Sequence, residues 1–246
     1  MYFRNKMNTQ SLILFLIIGY CFTSCKKAED NVIIEPKPVL VKSFQKVGDT
    51  CVTYCTYDDK HRLLSAIQCT ITESFEYPTD SIIYTRMVSG SMDYQYIYYL
   101  NADGLATSYK RIGNNGSETF YAFTYDANRY RTFMVQEEDT SNYKTYSINN
   151  GNVVYETSQS PISTGNYVIN AIYYTDKTNT LTNDNYGRSF LGKSTKNLRK
   201  AEDWVTPNGD FSQQFFYAFD AEGRVVKRVT TLNGEDTSDV RIYAYY

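Results

Sequence analysis

The feature that most constrains this chain is a two-residue alternation of apolar and polar side chains, interrupted at short intervals by turn residues. Cys51–Tyr57, Tyr94–Leu100, Glu118–Tyr125, Tyr143–Ile148, Tyr167–Tyr174, Phe215–Phe219 and Val240–Tyr246 all follow it. Successive side chains of an extended strand point to opposite faces, so each segment reads as a strand with one covered face. Outside the N-terminal leader no stretch of helical length carries an apolar stripe at i, i+3, i+4, i+7. Asn149-Asn150-Gly151-Asn152 and Asn233-Gly234 supply hairpin turns, because Asn and Gly accept positive φ. The 25 tyrosines and 13 phenylalanines agree with this, since aromatic side chains suit a pleated, half-buried surface. The class is all-β.

The N-terminus gives an address. Arg4 and Lys6 precede an apolar run from Leu12 to Tyr20, too short for the roughly 20 residues of a spanning helix. Thr23 and Ser24 then lead to Cys25. This arrangement resembles a lipoprotein signal, with Phe22 where such signals usually carry Leu. It implies a signal peptide over 1–24 and lipidation of Cys25. A tether over 25–41 follows, polar at first and stiffened by Pro36 and Pro38, and a single domain over 42–246. The expected location is the outer membrane, lipid-anchored on its surface or periplasmic face.

One turn repeats. Tyr57-Asp58-Asp59-Lys60-His61-Arg62, Leu100-Asn101-Ala102-Asp103-Gly104-Leu105, Tyr125-Asp126-Ala127-Asn128-Arg129-Tyr130 and Phe219-Asp220-Ala221-Glu222-Gly223-Arg224 align without gaps. Asp or Asn caps a type I turn and Gly takes the left-handed position of a G1 bulge. His61 and Arg129 stand where that glycine is expected. The unit resembles the tyrosine-aspartate (YD) repeat. The order of hairpins, then Tyr186 to Leu198, then Phe219 to Val225 and a last strand is similar to a family of Gram-negative lipoproteins of unknown function with a porin-like fold. That resemblance implies an antiparallel up-and-down meander curling into a barrel-like sheet, with a long connection near residues 182–210. It implies no activity.

Counting outward from Asp58 and Arg62 pairs Tyr57 with Leu63, Cys55 with Ser65 and Cys51 with Cys69. Opposed positions have Cβ atoms about 4.5–5.5 Å apart, near the span of a disulfide. An oxidising compartment would allow a Cys51–Cys69 bond.

Candidate chemistry is sparse. Gly187-Arg188-Ser189-Phe190-Leu191-Gly192-Lys193-Ser194 spells the G-x-x-x-x-G-K-[ST] pattern of a phosphate-binding loop. That loop needs a buried strand before it and a helix after it. Here the preceding residues are polar and no apolar helical face follows, so no nucleotide is expected. A net charge of −2 offers no field for nucleic acid. His61, the sole histidine, sits in a turn, which disfavours histidine-based metal sites and catalytic triads. Glu137-Glu138-Asp139 and Glu235-Asp236 read as solvated hairpin tips rather than a glycosidase pair. No cofactor, metal or catalytic residue is assigned.

Tyr94, Tyr96 and Tyr98 share one strand face, with Tyr84 and Tyr99 nearby. They could stack on sugar rings if exposed, or form a cross-strand ladder that holds the sheet. Tyr246 on an alternating last strand is similar to membrane barrels, but the strands mix Tyr with Thr, Ser, Asn and Lys on both faces. The expectation is therefore a non-catalytic, lipid-anchored envelope protein, binding or scaffolding a glycan or another envelope component. The alternative is a carrier enclosing an apolar ligand in the curled sheet.

Overall fold

The computed structural model describes residues 39–160, 166–235 and 237–246. The expected signal peptide over 1–24, Cys25, most of the expected tether and Asp236 lie outside the described residues. Among those described, strands run in order as β1 (Val41–Lys46), β2 (Thr53–Tyr57), β3 (Leu63–Gln68), β4 (Ile71–Glu76), β5 (Ser81–Val88), β6 (Ser91–Leu100), β7 (Ala106–Gly113) and β8 (Glu118–Tyr125). The second half comprises β9 (Arg131–Gln136), β10 (Tyr143–Asn149), β11 (Asn152–Gln159), β12 (Tyr167–Thr178), β13 (Asn197–Val205), β14 (Phe211–Phe219), β15 (Val225–Leu232) and β16 (Thr237–Tyr245). Each pairs antiparallel with its sequence neighbours and β1 pairs with β16, so the meander closes completely into a barrel.

The long connection is shorter than expected. It runs over 179–196, and Asn197–Val205 is a strand. Arg199, Lys200, Glu202 and Asp203 hid its alternation. An inward charge is tolerated here because the lumen supplies partners: Glu202 pairs with Arg199 and accepts a bond from Trp204 Nε1.

All four repeated turns adopt one geometry. In each, the Asp or Asn carbonyl accepts from the residue three positions on, at 2.9–3.1 Å. Its side-chain oxygen also takes two backbone N–H groups, as Asp58 Oδ1 does from Lys60 and Arg62 and Asp220 Oδ1 from Glu222 and Arg224. His61 (φ 63°) and Arg129 (φ 70°) take the left-handed position without glycine. A second irregularity follows every copy. The register steps by one after Tyr57↔Leu63, Leu100↔Ala106, Tyr125↔Arg131 and Phe219↔Val225. One residue of the returning strand is thus unpaired, a bulge that adds local twist.

That bulge corrects the expected register. Tyr57 does face Leu63, but Cys55 faces Ala66, and Ser65 faces Thr56. Cys51 and Cys69 form a disulfide nonetheless, with Cα atoms 5.6 Å apart. Both lie beyond the paired region, and Cys69 sits in the β3–β4 turn with φ 48°. Cys55 is free and buried.

Directly paired residues share a face, so the pairings divide inner from outer rows. Outer rows carry polar side chains at mid-strand: Gln95 Nε2 donates to Thr85 Oγ1 at 3.0 Å, Lys110 pairs with Glu118 at 3.0 Å, and Thr145 bonds Thr157 at 2.6 Å. Apolar pairs lie among them: Tyr54 faces Ile67, Ile83 faces Ile97, and Phe216 faces Val229, which faces Val240. The outer wall is thus mixed, its polar pairs interrupting the apolar ones.

Candidate functional site

The inner wall holds two unlike regions. Along β4–β8 it is aromatic. Tyr84 pairs with Tyr96 and stacks on it at 5.5 Å, Tyr109 stacks on Tyr121 at 4.8 Å, and Tyr96 meets Tyr109 edge-on at 5.1 Å. Tyr94, Tyr96 and Tyr98 belong to this ladder. They point into the barrel and pack against buried Phe75, Ile82 and Phe123, so they present no outward stacking face. The period-two reading placed them correctly on one face, but sequence alone does not say which face a closed barrel turns inward.

The connection over 179–196 closes the end of the barrel beside this ladder, as a strap. Phe190 is buried among the β2–β8 aromatics and meets Tyr98 at 5.1 Å, while Leu181 packs on Leu198, Val225 and Tyr243. Around the rim the strap accepts from the N–H groups of Val41 and Leu63, through Asn185 O and Gly187 O. It also donates to the carbonyls of Arg129 and Gly151, through Lys193 N–H and Lys196 N–H. The phosphate-loop lookalike lies within the strap, and its glycines have a different task. A β-carbon on Gly187 would stand 2.6 Å from Leu63 N, and one on Gly192 would stand 2.6 Å from Arg129 O. These contacts fall on the two repeated turns that lack glycine, those of His61 and Arg129. Beside the strap is a cavity of about 360 Å³ whose walls include Arg131, Tyr146 and Lys193.

The opposite end is bounded by short turns among the described residues. Near it, the inner wall of β12–β16 is polar and aromatic together. Trp204 stacks on Phe211 with centroids 5.3 Å apart and planes 14° apart, and Tyr167 lies 5.1 Å from Trp204. All three are half-buried. Tyr167 Oη accepts from Lys144 Nζ at 2.7 Å and donates to Glu156 Oε1 at 3.0 Å. Burial opposes the charge on Lys144, but the bond it donates to Tyr167 and the nearby Glu156 outweigh that and raise its pKa. Farther along the wall, Asp239 is shared by Arg241 at 3.0 Å, Arg228 at 3.2 Å and Lys46 at 3.9 Å.

This wall went unread in the sequence. Its signal was the chain's single tryptophan, two residues after Glu202 and therefore on the same face as a carboxylate able to fix its indole. The other candidates are scattered. His61 serves a rim turn, Glu137 to Asp139 occupy the β9–β10 connection, and Glu235 lies in the β15–β16 turn. Glu138 there accepts from Phe120 N–H at 3.2 Å.

No family model matches the chain, and no curated protein matches it. Solved structures do. A porin-like protein from Bacteroides uniformis superposes with a TM-score of 0.63 at 14% identity, covering 86% of this chain and 100% of that one. A porin-like protein from Bacteroides vulgatus gives 0.61 at 10% identity, covering 85% and 99%. The fold is porin-like.

Proposed function

We propose that this chain is a non-catalytic protein of the bacterial cell envelope, held to the membrane by lipid on Cys25, whose barrel binds a glycan on its inner wall. The observation that carries the reading is the Trp204–Phe211 platform with Tyr167 at its edge. A flat aromatic face beside fixed carboxylates and cations is the chemistry that takes a sugar: the ring's negative face meets C–H bonds and the polar groups meet hydroxyls. The charged lining disfavours the apolar carrier, since an apolar ligand would strip water from the Lys144–Glu156 and Arg199–Glu202 pairs and offer no polar partner in its place.

A binding role fits better than a catalytic one. The lumenal carboxylates are committed to cations, Glu156 to Lys144 at 3.6 Å and Glu202 to Arg199. A glycosidase needs two carboxyl groups free to serve as acid and base, and each of these two is already held by a cation. Kinship with the lipoprotein family and with YD repeats belongs to this same reading, supported by the four-fold turn. Anchoring by lipid rather than by the barrel is supported by the polar pairs that interrupt the outer rows at mid-strand.

Titrating the protein against a panel of neutral and acidic oligosaccharides by calorimetry tests the proposal. Saturable binding to at least one, lost in Trp204→Ala with the fold retained, is expected. Binding to none, or binding indifferent to Trp204→Ala, overturns it.

A further inference from the structure

We infer that the glycan is acidic, and that the group around Asp239 receives its carboxylate; this rests on the reading of the Trp204 wall as a sugar site. Lys46, Arg228 and Arg241 are neighbours across β1, β15 and β16, joined by the pairings Arg228↔Arg241 and Lys46↔Arg241. One carboxylate serves all three. The group therefore holds two positive charges in excess within a chain whose net charge is −2.

A second observation points the same way. Lys46 and Arg241 keep 49% and 43% of their side-chain surface exposed while they serve Asp239, so both retain donors open to a ligand. An incoming carboxylate meets those donors and supplies the missing charge together, and a guanidinium group binds it in a fork.

The spacing suits an oligosaccharide. The inner row of β14 steps from Phe211 through Gln213 to Phe215, and Phe215 pairs with Thr230. Phe215 stands about 13 Å from Phe211 along β14 at about 3.3 Å per residue, and Asp239 lies two strand spacings of about 4.8 Å to the side, so the platform and the cationic group stand roughly 16 Å apart, a distance an oligosaccharide of about five rings spans. One sugar ring lies on Trp204 while a carboxylate farther along reaches Arg241 and Lys46.

The test compares pentagalacturonic acid with neutral maltopentaose by calorimetry on the protein and on Lys46→Gln and Arg241→Gln. Lys46 is half exposed, so its replacement leaves the fold intact. The acidic pentasaccharide is expected to bind at least tenfold tighter than the neutral one. Each substitution should weaken it several-fold with maltopentaose unchanged, and Asp239→Asn should tighten it. Equal binding of the two sugars overturns the acidic assignment and leaves the Trp204 site standing. Failure of pentagalacturonic acid to bind while other sugars of the panel do has the same meaning. Acid-selective binding that survives both substitutions places the anion elsewhere and overturns the assignment to Asp239.

Discussion

Gly192 is held so close to the Arg129 carbonyl that a β-carbon would come within 2.6 Å of its oxygen, and the next residue, Lys193, donates its N–H to that same oxygen at 2.9 Å. Gly192 has φ 79°. Gly192→Ala therefore adds left-handed strain to a backbone clash, about 2–4 kcal/mol together. Gly104→Ala, at φ 73° with nothing within 4 Å, meets the strain alone, about 1 kcal/mol. Urea melts of the two variants check the contrast. Equal midpoints would show that the strap does not hold the rim.

The Cys51–Cys69 bond closes a loop of sequence separation 18. Reduction, or Cys51→Ser, is expected to cost about 3 kcal/mol by the chain-entropy estimate. Differential scanning calorimetry with and without dithiothreitol reads the loss. Cys55 should meanwhile resist iodoacetamide in the folded protein. Burial raises its pKa and keeps it a thiol, so labelling appears only on unfolding.

Acid should weaken the hairpin that Asp58 caps. Burial opposes ionisation there, but the Arg62 backbone N–H and guanidinium outweigh it and hold the carboxyl below its usual range. A carboxyl whose folded pKa lies below its unfolded one stabilises fully above the unfolded value, about 3.9, and loses that contribution as pH falls through the folded value. Denaturant midpoints measured from pH 6 to pH 2 should fall less steeply in Asp58→Asn than in the parent chain. An unchanged slope would remove Asp58 from the account.

Mass spectrometry of the mature N-terminus should find Cys25 acylated, and Cys25→Ser should move the protein from the membrane fraction to the soluble one. A mature chain beginning beyond residue 25 with no lipid sinks the anchor. Lys193 sits on a strap rather than at a helix start, so the chain should bind no ATP at micromolar concentration, with Lys193→Ala indistinguishable from it.

Strands and turns were legible because their signals are local. The alternation from Glu118 to Tyr125 matches β8 residue for residue, and Asn150-Gly151 and Asn233-Gly234 both take positive φ. What escaped depends on residues far apart in the chain. Nothing near Asn197 announces that Arg199 and Glu202 neutralise each other inside a lumen, so β13 read as connection. Nothing near Tyr94 says that Phe190, almost a hundred residues on, will cover its ladder. The bulge after each repeated turn was also invisible, because the extra residue is Leu64 in one copy and Thr107 in another. Trp204 was visible as a rarity but not as a site, since its partners Tyr167 and Phe211 come from the two flanking strands.

The seam between β1 and β16 carries a kinetic consequence. Every other pairing joins strands adjacent in sequence, and all but β12–β13, which the strap bridges, close over short connections. Val41 meets Tyr245 only after nearly the whole domain has been laid down, and that one closure carries the entropy of the longest loop in the molecule. Until then two strand edges stay open to neighbouring chains. The seam is thus the pairing expected to form last. A chain cut before Thr237 would keep fifteen strands with no way to complete the ring, an invitation to pair with its own copies instead.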